Sequence, residues 1–435
     1  MCCQTMTYLY RTRWVLMGLL VGLTPFHAFL ITWAGAPVVL SMWREFLVMA
    51  ICGLIAVEIV LEKRWPRFDA LDWVIIAFAA VAIFWLPFQR FEVAQWALGV
   101  RFDVMPFVFL LFLRQAKWDS EKMTAWLYRI FFITAGVVVL FGIFHATSLP
   151  KDFLTHFGYP AYNTVPDAEN GLTACQYLEH TTSVCRATST FGGPTRYGVF
   201  LLLVLGMLLP AILQKTRERG RGVAVALFAM TLASVFLTYS RSIWIGLATA
   251  AIFALFWAAY IKVQYRKKII IAGLVVLVLL IISAGIFAWR FSVEEKNSYV
   301  PQLAHSIFVR TASSNKHVEL AKKGLQTIIA HPLGMGLGKV GPASVRFNEK
   351  FLTENWYLQI GAEMGVLGLL LFCGLLVVLS KKLLADKTDW RRIGLFLSLF
   401  GIAITGLFTH SFEETSAVLV LMAFMGVNLS YQVRN

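Results

Sequence analysis

The chain has 435 residues, of which 58% are hydrophobic and only 14% charged, with a net charge of +15 and a mean hydropathy of +0.70. A soluble chain of this size carries roughly a quarter charged residues, so the composition excludes an ordinary soluble enzyme and implies a polytopic membrane protein. The positive charge does not point to nucleic acid. Its Lys and Arg residues recur as short clusters between apolar runs (Arg11/Arg13, Lys63-Arg64/Arg67, Arg114/Lys117, Arg217/Arg219/Arg221, Arg266-Lys267-Lys268, Lys381-Lys382), the pattern of basic loops kept on the cytoplasmic side of a membrane.

Taken in chain order, twelve apolar segments have the length of membrane helices: 14–31, 45–61, 71–88, 98–113, 124–146, 197–213, 223–239, 243–261, 269–288, 356–379, 393–409 and 416–430. The first is span-length and lacks a small-residue cleavage site, which argues against a removable signal peptide. With the N-terminus inside, every second loop holds the basic clusters, and an even count returns the C-terminus to the cytoplasm. The expectation is an all-α integral membrane protein, one polytopic domain over 1–435. Two long outward loops interrupt it, at 147–196 and, between the ninth and tenth spans, at 289–355. The second contains helical periodicity from Asn315 to Ala330 in Val318, Ala321, Leu325, Ile328 and Ile329. Ser313, Ser314 and Asn315 offer caps, and His331-Pro332 stops it. Lys316, Lys322 and Lys323 mark a polar side, suited to lying on the bilayer surface or covering a cavity.

The six cysteines are too few for a disulfide framework. Cys175 and Cys185 share one outward loop and have the compartment to pair in, but sequence alone leaves their pairing open. No His/Cys/Asp cluster has metal-ligand spacing, and no cofactor motif is present. Gly334-Met-Gly-Leu-Gly338 lacks the Lys-Ser/Thr of a phosphate loop and reads instead as tight turns and close backbone approach.

Several polar residues gather on the outward side. Arg186 lies in Arg186-Ala-Thr-Ser-Thr-Phe-Gly-Gly-Pro194, Arg241 in the turn Thr238-Tyr-Ser-Arg-Ser-Ile-Trp244, and Arg310 precedes the loop helix. Each alone reads equally as an interfacial anchor; together with a carboxylate they suit a diphosphate, which guanidinium binds bidentately without titrating and whose departure it stabilises. Glu354-Asn355 stands at the start of the tenth span, followed by Tyr357. A first-turn carboxylate is favoured by the helix dipole and Asn355 by capping, so spacing leaves a structural role and a catalytic one both open. His27, His317, His331 and His410 read as structural. Arg101 and Asp103 suggest a mutual pair, and Glu413-Glu414 a counter-charge to the arginines.

These residues form a pattern. Glu354-Asn355, nine residues, Gly365, two residues and Gly368 resemble the signature of the bacterial O-antigen ligase and O-antigen polymerase superfamily. Arg186…Thr190-Phe191-Gly-Gly-Pro194 is similar to its Arg-x-x-Gly-Thr-Phe-x-x-Pro segment. Ser240-Arg241-Ser242-Ile243-Trp244 is similar to its Ser-Arg-Ser/Gly-apolar-Trp turn, and His331-Pro332-Leu333-Gly-Met-Gly-Leu-Gly338 to its His-Pro-Leu/Phe-Gly-x-Gly-x-Gly segment. The resemblance covers about 185–370, in family order. It implies a GT-C-like, metal-independent, inverting glycosyltransferase of the bacterial inner membrane, without cofactor. Such an enzyme moves glycan from undecaprenyl diphosphate to an acceptor hydroxyl at the periplasmic face.

Carried over, Arg186 and Arg241 hold the donor diphosphate, with Arg310, Asn355 and Tyr357 as further substrate contacts; Arg241 is also catalytic, and Glu354 takes the place of the ligases' catalytic histidine and deprotonates the acceptor hydroxyl. That substitution favours a polymerase of O-antigen or exopolysaccharide repeats. A ligase joining polymer to lipid A–core is the alternative, as is a protein O-oligosaccharyltransferase. Implied partners are the lipid-linked glycan, membrane lipid and a chain-length regulator or flippase of the same pathway. A twelve-span transporter of lipid-linked oligosaccharide is the competing class, disfavoured by dissimilar halves and by polar residues crowded on one face.

Overall fold

The computed structural model describes residues 2–35, 37–84, 93–118, 120–160, 173–177, 184–213, 220–261, 311–347 and 351–431. The ninth expected span, Arg310 and much of both long loops lie outside the described residues.

Among the described residues the chain is helical, apart from an isolated bridge between Tyr177 and Cys185. The helices are α1 (Cys2–Leu23), α2 (His27–Trp33), α3 (Trp43–Leu61), α4 (Ala70–Phe84), α5 (Val93–Gly99), α6 (Met105–Gln115), α7 (Glu121–Thr147), α8 (Pro194–Leu213), α9 (Arg221–Leu237), α10 (Arg241–Ile261), α11 (Thr311–Ala330), α12 (Trp356–Leu383), α13 (Trp390–Thr405) and α14 (Thr415–Asn428). Every expected span but the ninth coincides with one of these or with a joined pair. Among the described residues six stretches are long and apolar enough to cross a membrane: Met6–Trp33, Val93–Gln115, Glu121–Thr147, Pro194–Ile212, Arg241–Tyr260 and Trp356–Leu383. The apolar helices α4, α9 and α14 are shorter.

Helix starts follow local chemistry. The side chain of Ser120 caps α7, Asn355 caps α12 and Asp389 caps α13, while Pro194 opens α8 with a preset φ. α14 is apolar on all sides and buried along its whole length, which makes it the centre of the bundle. Glycines bring other helices together: a side chain at Gly206 of α8 would strike Ser398 of α13, and one at Gly246 of α10 would strike Thr405. Small residues at a crossing let helix backbones approach where the lipid supplies no hydrophobic drive.

The bundle has two polar ends. At one, Arg13 pairs with Glu58, Lys117 with Glu62 at 2.9 Å, and Arg114 and Lys382 with Asp69 at 2.7 and 2.6 Å. Basic residues from three of the clusters expected on one side thus gather at one end. At the other end of α3 and of the α5–α6 unit stand Arg44 and Arg101, and around them lies the candidate site.

Loop helix α11 is already helical at Thr311, ahead of its expected Ser/Asn caps, and stops at Ala330 before His331-Pro332 as expected. It packs on α12, where Gly324 approaches Thr353 and Leu358, and Ile328 fills the space beside Gly361. His317 and Ala321 lie on the same helical face as Gly324 and Ile328. Val318, Leu325 and Ile329 are exposed.

Candidate functional site

The sequence segment His331–Gly338 forms a loop that docks on α12 at a break in that helix. Gly365 has φ 72°, ψ −174°, a conformation essentially confined to glycine. Met335 and Gly336 donate backbone hydrogen bonds to the carbonyls of Ala362 and Glu363, at 2.8 and 3.0 Å, and Val366 N–H donates to Pro332 O at 2.9 Å. A side chain at Gly334 would collide with the Glu363 carbonyl, and one at Gly365 with Pro332 and Leu333. The glycines of two distant motifs therefore let one backbone lie against another, as the reading of tight turns and close approach expected. Glu363, fully buried, accepts from Val340 N–H at 2.9 Å and faces Asp103.

This docking sets the entry to α12. Glu354 has φ +49°, left-handed and unusual for a residue with a side chain. Its carboxylate is bound by Nδ1 of His317 from α11. Burial alone would raise the Glu354 carboxyl; the His317 hydrogen bond and the positive charge of His317, His410 and Lys316 outweigh it and hold it below the usual carboxylate value. Asn355 accepts from Leu358 N–H at 3.0 Å and donates to Leu407 O at 2.9 Å. The Tyr357 hydroxyl donates to Ala403 O at 2.9 Å. Both side chains anchor the helix start against the end of α13.

One turn on, Gln359 is fully buried. Its amide donates to Glu413 at 2.7 Å, and its oxygen contacts His410 Nδ1. Burial lowers His410 to about 4, against the opposing charge of Glu354. Glu413 is held well above the usual carboxylate value by burial and by the charge of Asp103, and burial likewise raises Glu414.

His410, Glu413 and Glu414 form one wall of a cavity of about 470 Å³. Four arginines reach it: Arg44 from α3, Arg101 from the π-helical turn Val100–Val104 joining α5 to α6, Arg196 from the first turn of α8, and Arg346 from the loop after α11. Arg101 pairs with Glu45 at 2.7 Å. The expected Arg101–Asp103 pair is therefore corrected: residues two apart on a helix do not face each other, and Asp103 points instead to Glu363. Glu414 lies 3.7 Å from Arg196, the counter-charge anticipated for this turn.

The two arginine motifs meet beside the cavity. Arg186 Nε donates to Thr238 O at 2.9 Å, and Ala187 N–H to Leu237 O at 2.8 Å, so the first motif is stitched to the turn carrying Arg241. Cys175 and Cys185 are disulfide-bonded, their Cα atoms 5.6 Å apart, and Arg186 N–H donates to Gln176 O within the stapled segment. Thr195, in the cavity wall, lies 3.5 Å from Ser240. Thr405 donates to Ser242 O at 3.3 Å, one residue before Gly406 receives the Trp356 N–H. Arg241 and Glu354 are thus tied to a common backbone junction at the end of α13. Arg310 lies outside the described residues.

Sequence reasoning read His317 and His410 as structural, yet one binds Glu354 and the other lines the cavity. It also did not bring Arg44, Arg196 and Arg346 to one site. Among the described residues no group of three or more His, Cys, Asp or Glu is arranged to hold a metal ion.

Fold and site together define an all-helical membrane protein with an arginine-rich cavity and a histidine-bound glutamate at one end of its bundle. Residues 225–373, from α9 through most of α12, match the family model described as O-antigen ligase, consistent with the ligase and polymerase superfamily. The match includes the Arg241 turn, the glycine loop and Glu354. No curated protein matches the chain.

Proposed function

We propose that this protein transfers glycan from undecaprenyl diphosphate to an acceptor hydroxyl on the periplasmic face of the bacterial inner membrane, polymerising lipid-linked repeat units. The chain crosses the membrane twelve times with both termini in the cytoplasm, which puts the Glu354 end outside. The acceptor oxygen attacks the anomeric carbon as the bond from that carbon to the diphosphate oxygen breaks. The electron pair leaves with undecaprenyl diphosphate, whose charge Arg186 and Arg241 stabilise. The acceptor's proton goes to Glu354, help worth on the order of 10²–10⁴ in rate. A single displacement of this kind inverts the anomeric centre and needs no metal.

The observation that carries this reading is the position of Glu354. It is close enough to His410, a cavity wall residue, to influence its titration, and it shares the α13 junction with the Arg241 turn. A base, a leaving-group clamp and a substrate-sized cavity converge at one end of the bundle. Glutamate at position 354, where the ligases carry histidine, favours a polymerase.

Deleting the gene tests the substrate class. Loss of a polymerase leaves single repeats on the surface lipid; loss of a ligase leaves long polymer stranded on its carrier. Unaltered chain length with glycan trapped on the cytoplasmic leaflet would overturn the enzyme reading in favour of transport.

A further inference from the structure

The cavity arginines are not the arginines of the two motifs. Neither Arg186 nor Arg241 lines the cavity; Arg44, Arg101, Arg196 and Arg346 do. Four guanidinium groups in about 470 Å³, a volume typical of small-molecule sites, repel one another unless anions enter. The acidic groups present only partly compensate. One oxygen of Glu45 is shared by Arg101 at 2.7 Å and Arg44 at 3.9 Å, Glu414 lies at a loose 3.7 Å from Arg196, and burial favours the neutral forms of Glu413 and Glu414. The two imidazoles, His27 and His410, add no negative charge.

Arg44 is the second observation. It is 3% exposed, donates through Nη1 to Ser416 at 2.8 Å, and its buried Nε has no hydrogen-bond partner among the described residues. A buried guanidinium N–H without an acceptor is costly and marks a place that an anionic oxygen would satisfy. Apolar Ile31, Phe102 and Val199 complete the wall, so the site offers both charge and a hydrophobic flank.

We propose that this cavity binds the phosphorylated head of the acceptor lipid, separate from the donor diphosphate at Arg186 and Arg241. The inference rests on the glycosyltransferase reading and deepens it. A polymerase joins two glycans that both ride on a diphosphate lipid, so it needs two anion sites on the same face, and the structure holds two sets of arginines there. Guanidinium groups suit both the diphosphate of a polyprenyl carrier and the phosphates of lipid A–core.

Binding of farnesyl diphosphate to the purified full-length protein in detergent, read by native mass spectrometry, tests this. Wild type takes two molecules per chain, and the double variant Arg196→Gln/Arg346→Gln takes one. Arg241→Ala keeps the cavity's molecule and loses the other. Competition with diphosphoryl lipid A separates the two sources: a polymerase cavity keeps farnesyl diphosphate, whereas a ligase cavity exchanges it. In glycan transfer, the double variant raises acceptor KM by about tenfold or more, the scale of losing a charge-assisted hydrogen bond, and leaves donor KM unchanged. Unaltered binding stoichiometry and acceptor KM in the double variant would overturn the acceptor site while leaving the transferase intact. Two-site binding without any glycan transfer by wild type would instead fault the transferase reading.

Discussion

Nδ1 of His317, on the loop helix α11, binds the carboxylate of Glu354 at the entry to α12. The contact joins residues 37 positions apart in sequence and fixes both the orientation and the charge of the proposed base. Burial pushes Glu354 toward its neutral form, and the histidine reverses that push. In His317→Ala the burial is left unopposed by its nearest partner, so the carboxyl rises. The acid limb of the pH–rate profile, set by protonation of Glu354, then moves to higher pH, with a fall in rate near neutrality smaller than that of Glu354→Gln. Initial rates measured between pH 4 and 8 check this; a limb that does not move would separate His317 from the base.

The same carboxylate has a linked effect on stability. A group whose folded pKa is depressed contributes stability above its unfolded value and loses it as pH falls through the folded one. Glu354 therefore stabilises the α11–α12 contact at neutral pH and releases it in acid. His410, lowered to about 4, acts in the same direction: folding disfavours its protonation, so stability drops as pH falls from the ordinary imidazole value toward about 4. Thermal unfolding in detergent should show a falling midpoint over that interval, and His410→Gln should flatten it.

Gly365 supports the docked loop by adopting a conformation that other residues avoid. Gly365→Ala adds strain on the order of 1–3 kcal/mol together with a clash against Pro332 and Leu333. Loss of protection from proteolysis should begin in residues 331–341 before the rest of the bundle, as limited proteolysis can show. Gly374, which has open space around it, is the control: Gly374→Ala should leave the protein at least as stable.

The Cys175–Cys185 bridge holds the segment that feeds Arg186 to the Thr238 turn. Cys175→Ser/Cys185→Ser is expected to cost roughly 2–4 kcal/mol and to divide its kinetic effect between a higher donor KM and a lower kcat, because Arg186 both holds the diphosphate and stabilises its departing charge. Steady-state kinetics on the double variant, compared with reduced wild type, check that split.

The positions of the long helices are legible in sequence because lipid imposes a long apolar run on a span. The glycines of His331–Gly338 were also readable, since a phosphate loop demands a Lys-Ser/Thr that is missing. The partner of Arg101 was not readable. It depends on a π-helical turn and on the neighbouring helix α3, which supplies Glu45. His317 escaped for a similar reason: its partner lies beyond a loop whose return path only the tertiary packing of α11 on α12 determines. The cavity needed four elements to converge, and no local pattern records where Arg44, Arg196 and Arg346 meet. Asn355 caps α12, the simpler of the two roles its sequence position offered, and the Tyr357 hydroxyl ties α12 to α13.

The central claim is that Glu354 accepts the acceptor's proton in glycan transfer. Purified protein should be given a synthetic undecaprenyl-diphosphate-linked repeat unit, and its products resolved by gel and by mass spectrometry of the released lipid. Wild type is predicted to yield a ladder of longer glycans with undecaprenyl diphosphate released at each step. Glu354→Gln, folded and membrane-inserted to the same extent, should fall by a factor of about 10²–10⁴. Polymer formation by Glu354→Gln at the wild-type rate would contradict the account.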